Sequence, residues 1–184
     1  MRYPAAETAE KHERILEQAS ALFRQRGFSG VSLSEIMKAT GLTHGSFYNH
    51  FDSKDALISK SLGYASRKSL AGLNDAKNSP ESMVAYTMNY LSLQHRDEPE
   101  NGCLMAALGT EVGREPAARA GFTAHLKISV ERFAVYFPWS KKRNKRRNAI
   151  RTLSTLIGAV MLARAVDDPA FSDEILREVR AEFE

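Results

Sequence analysis

Apolar residues along this chain recur at intervals of three and four, the spacing of one helix face. Over 10–26, Ile15, Leu16, Ala19, Leu22 and Phe23 form such a face, and Gly27 supplies the stop. Ser32 followed by Glu35 reads as a capping box opening a short helix, with Leu33, Ile36 and Met37 turned inward and Gly41 closing it. Thr43 is placed to cap a third short helix over 44–50. At about 100° per residue, Phe51 falls beside Phe47 and both point to the core. Gly45, Ser46, Tyr48 and Asn49 then cover the opposite side, with His44 in the first turn. Ser53 caps a fourth helix, expected to reach about residue 73 on Leu57, Ile58, Leu62 and Ala65.

Ser79-Pro80 reads as a cap followed by proline at the first helical position, opening a helix over 80–95 with Met83, Val84, Thr87, Met88, Tyr90 and Leu91. Residues 96–102 are loop by composition, and a short helix follows from Cys103. Phe122, Leu126, Val130 and Phe133 mark a helix over 116–137, broken by Pro138-Trp139-Ser140. Two more are expected. One covers 144–165, with Leu153, Leu156, Ile157, Val160 and Met161 beside the small Gly158 and Ala159. The other covers 172–183, capped by Ser172 and carrying Ile175, Leu176 and Val179. No stretch alternates with period two, and 24 Ala and 17 Leu outweigh 8 Val and 7 Ile. The fold class is all-α.

The 184 residues suit one or two small domains, and 43% hydrophobic with 26% charged residues describes a globular chain. The longest strongly apolar uncharged run, 152–163, has 12 residues. That is short of the roughly 18 that span a bilayer, so no membrane partner is expected. The first residues hold no apolar leader core, and a single cysteine forms neither an internal disulfide nor a thiolate zinc cluster. Both point to a cytoplasmic setting. A net charge of +4 permits an anionic partner without demanding one. The five histidines (His12, His44, His50, His95 and His125) are scattered, and no nucleotide loop, Gly-x-Ser-x-Gly or His-Glu-x-x-His occurs. No catalytic residue, metal or cofactor is expected, which sets aside an enzyme; a ligand carrier is a further alternative.

Two short helices separated by a Gly41 turn and preceded by a longer one outline a helix-turn-helix unit. The exposed face of its second helix carries no acid, so it can enter a major groove. Asn49 can pair with an adenine edge, while Ser46, Tyr48 and the backbone at Gly45 reach phosphates. Lys54 and the free N–H groups after Ser53 form a phosphate clamp. Spacing alone describes a helical hairpin in a bundle equally well.

The residues over 14–58 resemble the DNA-binding region of TetR-family regulators. The matching elements are Ile15-Leu16, Ala19, Leu22-Phe23, Gly27-Phe28, Ser32, Ile36, Ala39 and Gly41-Leu42-Thr43, then Gly45, Phe47-Tyr48, His50-Phe51, Ser53-Lys54 and Leu57. They cover about a quarter of the chain in one order and spacing. The resemblance implies an N-terminal three-helix DNA-binding domain (9–69), a larger helical effector-binding and dimerisation domain (70–184), and a homodimer on a palindromic double-stranded DNA operator. It carries over Ser32, Thr43, His44, Gly45, Tyr48, Asn49, His50 and Lys54 as DNA contacts. Tyr48, His50 and Lys54 would sit at phosphates, and His44, Gly45 and Asn49 nearest the bases. His44 stands where many members have Lys. The family's last helices form a four-helix dimer interface, although the same apolar stripes serve a monomer core. A sequence-indifferent DNA coat would need a broad basic face, whereas residues 1–68 carry 10 Lys+Arg against 7 Asp+Glu.

Three further features each have two readings. Cys103, next to Gly102 at a helix start, is a reactive thiolate or a small buried hydrophobe. Its Gly-Cys-Leu setting is similar to a TetR subgroup in which some members sense quinones or aldehydes. Met83, Tyr86, Tyr90, Met105, Phe122, Phe133 and Phe137 line a small-molecule effector pocket, as in this family, or fill a plain core. Residues 141–147 hold six basic residues in seven, as a second anionic contact or, favoured here, a solvated loop far from the DNA-binding heads. Expected activity is that of a ligand-responsive repressor, with an activator left open.

Overall fold

The computed structural model describes residues 5–139 and 144–183, which form α-helices and 3₁₀ turns with no strand among them. The helices are α1 Ala5–Arg26, α2 Leu33–Ala39, α3 Lys54–Asp75, α4 Pro80–Tyr90, α5 Leu93–Asp97, α6 Leu104–Val112, α7 Pro116–Tyr136, α8 Lys145–Ala165 and α9 Pro169–Arg180. The expected all-α architecture, an N-terminal helix-turn-helix followed by a larger helical part, is what forms. The expected first apolar face is the buried face of α1: Ile15, Leu16, Ala19 and Phe23 pack with Ile36, Met37, Phe47 and Phe51 in the head.

Helix α3 joins head and body without a break at residues 69 and 70. It packs against α1 on one side and α7 on the other. Tyr64 and Lys68 bond Glu17 of α1 at 3.0 and 2.6 Å, while Ser66 bonds His125 of α7 at 2.8 Å and Arg132 of α7 reaches the Leu70 carbonyl at 2.6 Å. Burial, with Arg132 adding to it, pushes His125 down to about 4, so this contact is between neutral groups at pH 7.

Several expected boundaries move, each because a local cap competes with helix continuation. The helix expected over 80–95 stops at Tyr90. Ser92 then caps the separate α5, its hydroxyl accepting from His95 N–H at 3.1 Å, so the loop begins at Glu98. The last helix opens at Pro169, where Asp168 accepts from Ala170 and Phe171 N–H. Ser172, expected as the cap, lies inside α9, buried, and donates to the Ala163 carbonyl at 2.6 Å. The third short helix is a 3₁₀ turn, His44–Asn49, and Thr43 precedes it with no side-chain capping bond. Of the basic run, 141–143 lie outside the described residues, as does Ser140. Lys145, Arg146 and Arg147 are exposed in the first turn of α8 rather than in a loop. Leu153, Leu156 and Val160 are buried within the single chain, so that part of the α8 stripe belongs to the monomer core.

The capping box of α2 forms as expected. Ser32 Oγ accepts from Glu35 N–H at 3.2 Å, and Glu35 Oε2 accepts from Ser32 N–H at 2.9 Å. These bonds to Ser32, with Arg26 at 3.1 Å, hold the Glu35 carboxyl down to about 2. A depressed carboxyl contributes stability above its ordinary value of 4.5 that is lost as pH falls through about 2. In urea unfolding, Glu35→Gln therefore shows a flatter decline of stability between those pH values than wild type. Ser32→Ala costs about 1 kcal/mol at neutral pH.

Candidate functional site

The head presents a small polar face. Thr43, His44, Gly45 and Asn49 are exposed, and Tyr48 is 62% exposed with its ring edge-on to Phe47 and to His44. Phe47 and Phe51 anchor this turn from beneath, stacked at 5.7 Å. The turn is 3₁₀ because Gly45 favours no helix and Ser46 spends its hydroxyl on the Thr43 carbonyl at 2.7 Å. Ser46 and His50 are half-buried. His50 lies 5.9 Å from His12, whose ring stacks on Phe51 at 4.5 Å. Burial lowers both histidines below 6.5, and His12 adds to the lowering at His50. Near pH 7 His50 offers a neutral N–H rather than a charge.

Two expected DNA contacts are engaged within the head. Ser32 completes the capping box. Lys54, expected at a phosphate, turns inward and donates to the carbonyls of Phe28 and Val31, each at 2.7 Å. An ammonium prefers two carbonyls fixed in place to open solvent when its stem is half-buried. The Gly27–Val31 turn is also held from the body: Phe28 N–H donates to Glu111 Oε2 of α6 at 2.9 Å. Gly27 has φ +76°, and a Cβ there would run into the Glu111 carboxylate.

At the other end of α6 lies a cavity of about 290 Å³ lined by Arg24, Lys68, Tyr86, Asn89, Tyr90, His95, Asn101 and Cys103, with small residues between them. A smaller void shares Tyr86, Tyr90 and Cys103 with it and adds Met105 and Phe133. The structure thus gathers four of the seven expected Met and aromatic residues, Tyr86, Tyr90, Met105 and Phe133, together with Cys103. Met83 is fully buried in the core, Phe122 faces Gly109 of α6, and neither lines these spaces; Phe137 stacks on Phe133 outside them.

Cys103 is buried and takes the N-cap position of α6, one residue before the expected helical turn. Its N–H donates to His95 Nε2 at 2.9 Å, and His95 Nδ1 contacts the Tyr90 carbonyl at 2.6 Å. These partners assign a neutral imidazole with its proton on Nδ1. Burial lowers the His95 pKa, and Arg164 lowers it further. Arg164 donates to the His95 and Arg96 carbonyls at 2.5 and 2.8 Å, and Arg24 holds the Glu100 carbonyl and Ser20. Arg24, Asn89, His95 and Asn101 escaped the sequence reading because polar residues in a helix and a loop carry no pocket periodicity.

A helix-turn-helix head on a helical body that encloses a cavity is the architecture of a one-component transcriptional regulator. Residues 15–60 match the family model of the bacterial regulatory proteins, tetR family. An HTH-type transcriptional regulator of Mycobacterium tuberculosis is 27% identical over 180 residues, covering 91% of each chain. The HTH-type transcriptional repressor DhaR of a Mycobacterium species is 29% identical over 104 residues, covering 54% of this chain and 51% of its own. Among solved structures, reduced Escherichia coli NemR superposes with a TM-score of 0.80 at 22% identity, covering 95% of each chain. A TetR regulator of Chloroflexus aurantiacus gives 0.78 at 25% identity, covering 97% of this chain and 94% of its own. These matches support placing the chain among TetR-family regulators. No described helix is long and apolar enough to cross a membrane.

The Gly27 contact yields a test against Gly41, whose φ is +74° with open space where a Cβ would go. Gly41→Ala costs about 1 kcal/mol from backbone strain alone. Gly27→Ala adds displacement of Glu111 and costs distinctly more in urea unfolding. Lys54→Ala lowers thermal stability through the two carbonyls it abandons.

Proposed function

We propose that this chain is a cytoplasmic, ligand-responsive repressor. It binds a palindromic operator as a homodimer through residues 9–69 and takes a small-molecule effector, or modification at Cys103, through residues 70–184. The observation that carries this reading is α6, which begins at the cavity with Cys103 and ends on the head through the Glu111 bond to Phe28. Filling the cavity or modifying the thiol displaces α6. The heads then no longer match half-sites about 34–36 Å apart.

The exposed His44, Gly45, Tyr48 and Asn49 are the groove-facing set, with Thr43, Ser46 and His50 at its edges. Ser32 and Lys54 support the head, and their part in DNA contact is secondary to the bonds they already make. The dimer face is assigned to the α8 row Ile150, Ser154, Gly158 and Leu162, spaced by four. Its two apolar members are 45% and 59% exposed and its small members permit close helix approach, with Phe171 of α9 alongside.

Footprinting on chromosomal fragments tests the reading. A short palindrome is protected by wild type, and Tyr48→Ala weakens its binding about tenfold, the value of one hydrogen bond, with the dimer intact by sedimentation. A protein that protects no specific site refutes the proposal.

A further inference from the structure

We propose that the cavity at the start of α6 takes a small monocarboxylate, held without a covalent bond, whose carboxylate accepts from the Tyr90 hydroxyl and the Arg24 guanidinium. This rests on the reading of the cavity as an effector site, and adds to it the charge of the ligand and the two groups that select it.

Two independent observations meet in this space. The first is a donor with nothing to bond. Tyr90 lines the cavity of about 290 Å³, is only 8% exposed, and its hydroxyl has no hydrogen-bond partner. Buried hydroxyls without partners are rare in folded proteins, and one at a cavity wall is complementary to an incoming acceptor. Burial raises the Tyr90 pKa well above 10, and the neighbouring Cys103 adds to the rise, so the phenol keeps its proton and donates.

The second is positive charge that the chain leaves unpaired. Arg24 of α1 lines the same cavity and bonds the Glu100 carbonyl and the Ser20 hydroxyl. Those neutral partners leave N–H groups of the guanidinium free to donate and its charge uncompensated. Arg164 stands behind Gly102, 3.1 Å from where a Cβ on that glycine would lie, and bonds the carbonyls of His95 and Arg96. Neither arginine forms an ion pair among the described residues. Burial lowers the pKa of both, against the pull of neighbouring groups, Cys103 and Glu100 among them. A buried charge without a counterion is costly, and an anion seated beside it offsets that cost.

The lining also sets the size and valence of the anion. No Asp or Glu is among the described residues that line the cavity. Ala65, Gly72, Tyr86 and Gly102 are small or aromatic and leave room for a compact hydrocarbon body. A doubly charged ligand would need a second cation, and the one on offer, the exposed Lys68, is already paired with Glu17. One carboxylate on a small apolar body matches both parts of the wall.

The test is calorimetric titration of the full chain near neutral pH with benzoate and with benzamide, which share shape and an acceptor oxygen but differ in charge. Benzoate binds at least about tenfold more tightly than benzamide. Equal affinities, or no binding of benzoate at millimolar concentration, overturn the proposal. Tyr90→Phe weakens benzoate about tenfold, and an unchanged affinity overturns the role given to Tyr90. Arg24→Gln brings the preference for benzoate over benzamide close to one, a ratio that a merely structural arginine would not move. A preserved preference in that variant overturns the proposal; should it not fold, the wild-type comparison and Tyr90→Phe decide. Cys103→Ala keeps the preference, and its loss there overturns binding without the thiol. Operator binding is read separately. Benzoate bound with this preference while the operator stays occupied supports the carboxylate site and removes it from regulation.

Discussion

Helix α6 is pinned at both ends by bonds to other parts of the chain, and the arrangement of head and cavity depends on that. At its start the Cys103 N–H is held by His95, and at its end Glu111 accepts from Phe28 N–H. Nine residues at about 1.5 Å each make a rod of roughly 14 Å. A short, stiff rod does not absorb a displacement at one end by bending, which is why the proposed response runs from the cavity through α6 to the turn that carries the head. Lys54 of α3 holds the same turn from within the head through Phe28 and Val31. The Gly27–Val31 segment is therefore fastened both to α3 and to α6.

The cavity end is a region of satisfied backbone carbonyls. The carbonyls of 95, 96 and 100 turn inward and are met by Arg164 and Arg24. Burial opposes both guanidinium charges, and the surrounding groups, Cys103 among them, oppose that lowering. His95 is locked neutral between Cys103 and Tyr90, since a proton on Nε2 would remove the acceptor for the Cys103 N–H. Within this bonded background the Tyr90 hydroxyl and Arg164 Nη1 are buried without a hydrogen-bond partner.

Little in the proposed groove-facing set of the head is charged. Its exposed members are Thr43, His44, Gly45, Tyr48 and Asn49, while the ammonium of Lys54 is turned to backbone carbonyls. On the proposed reading, recognition through this set relies on shape and hydrogen bonding more than on phosphate charge.

The sequence by itself determined most of the helices, the Ser32–Glu35 capping box and the order of the long elements, because these follow from contacts three and four residues apart. Ser32 with Glu35, Ser53, and Ser79 with Pro80 all act as their spacing indicates. Asp168-Pro169 carried the same signal as Ser79-Pro80 and was passed over for Ser172, whose hydroxyl answers to Ala163 on another helix. The likeness over 14–58 identified the head because its anchors, Phe47 and Phe51 among them, are local. Only the tertiary structure decided which apolar residues meet a cavity and which fill the core. Met83 and Tyr90 share the buried side of α4, yet only the latter lines the cavity. It also decided that Lys54 turns inward and that Glu111 joins body to head, a pairing 83 residues apart. Such contacts depend on how helices are placed in space, and the periodicity of one helix holds no record of what faces it from another.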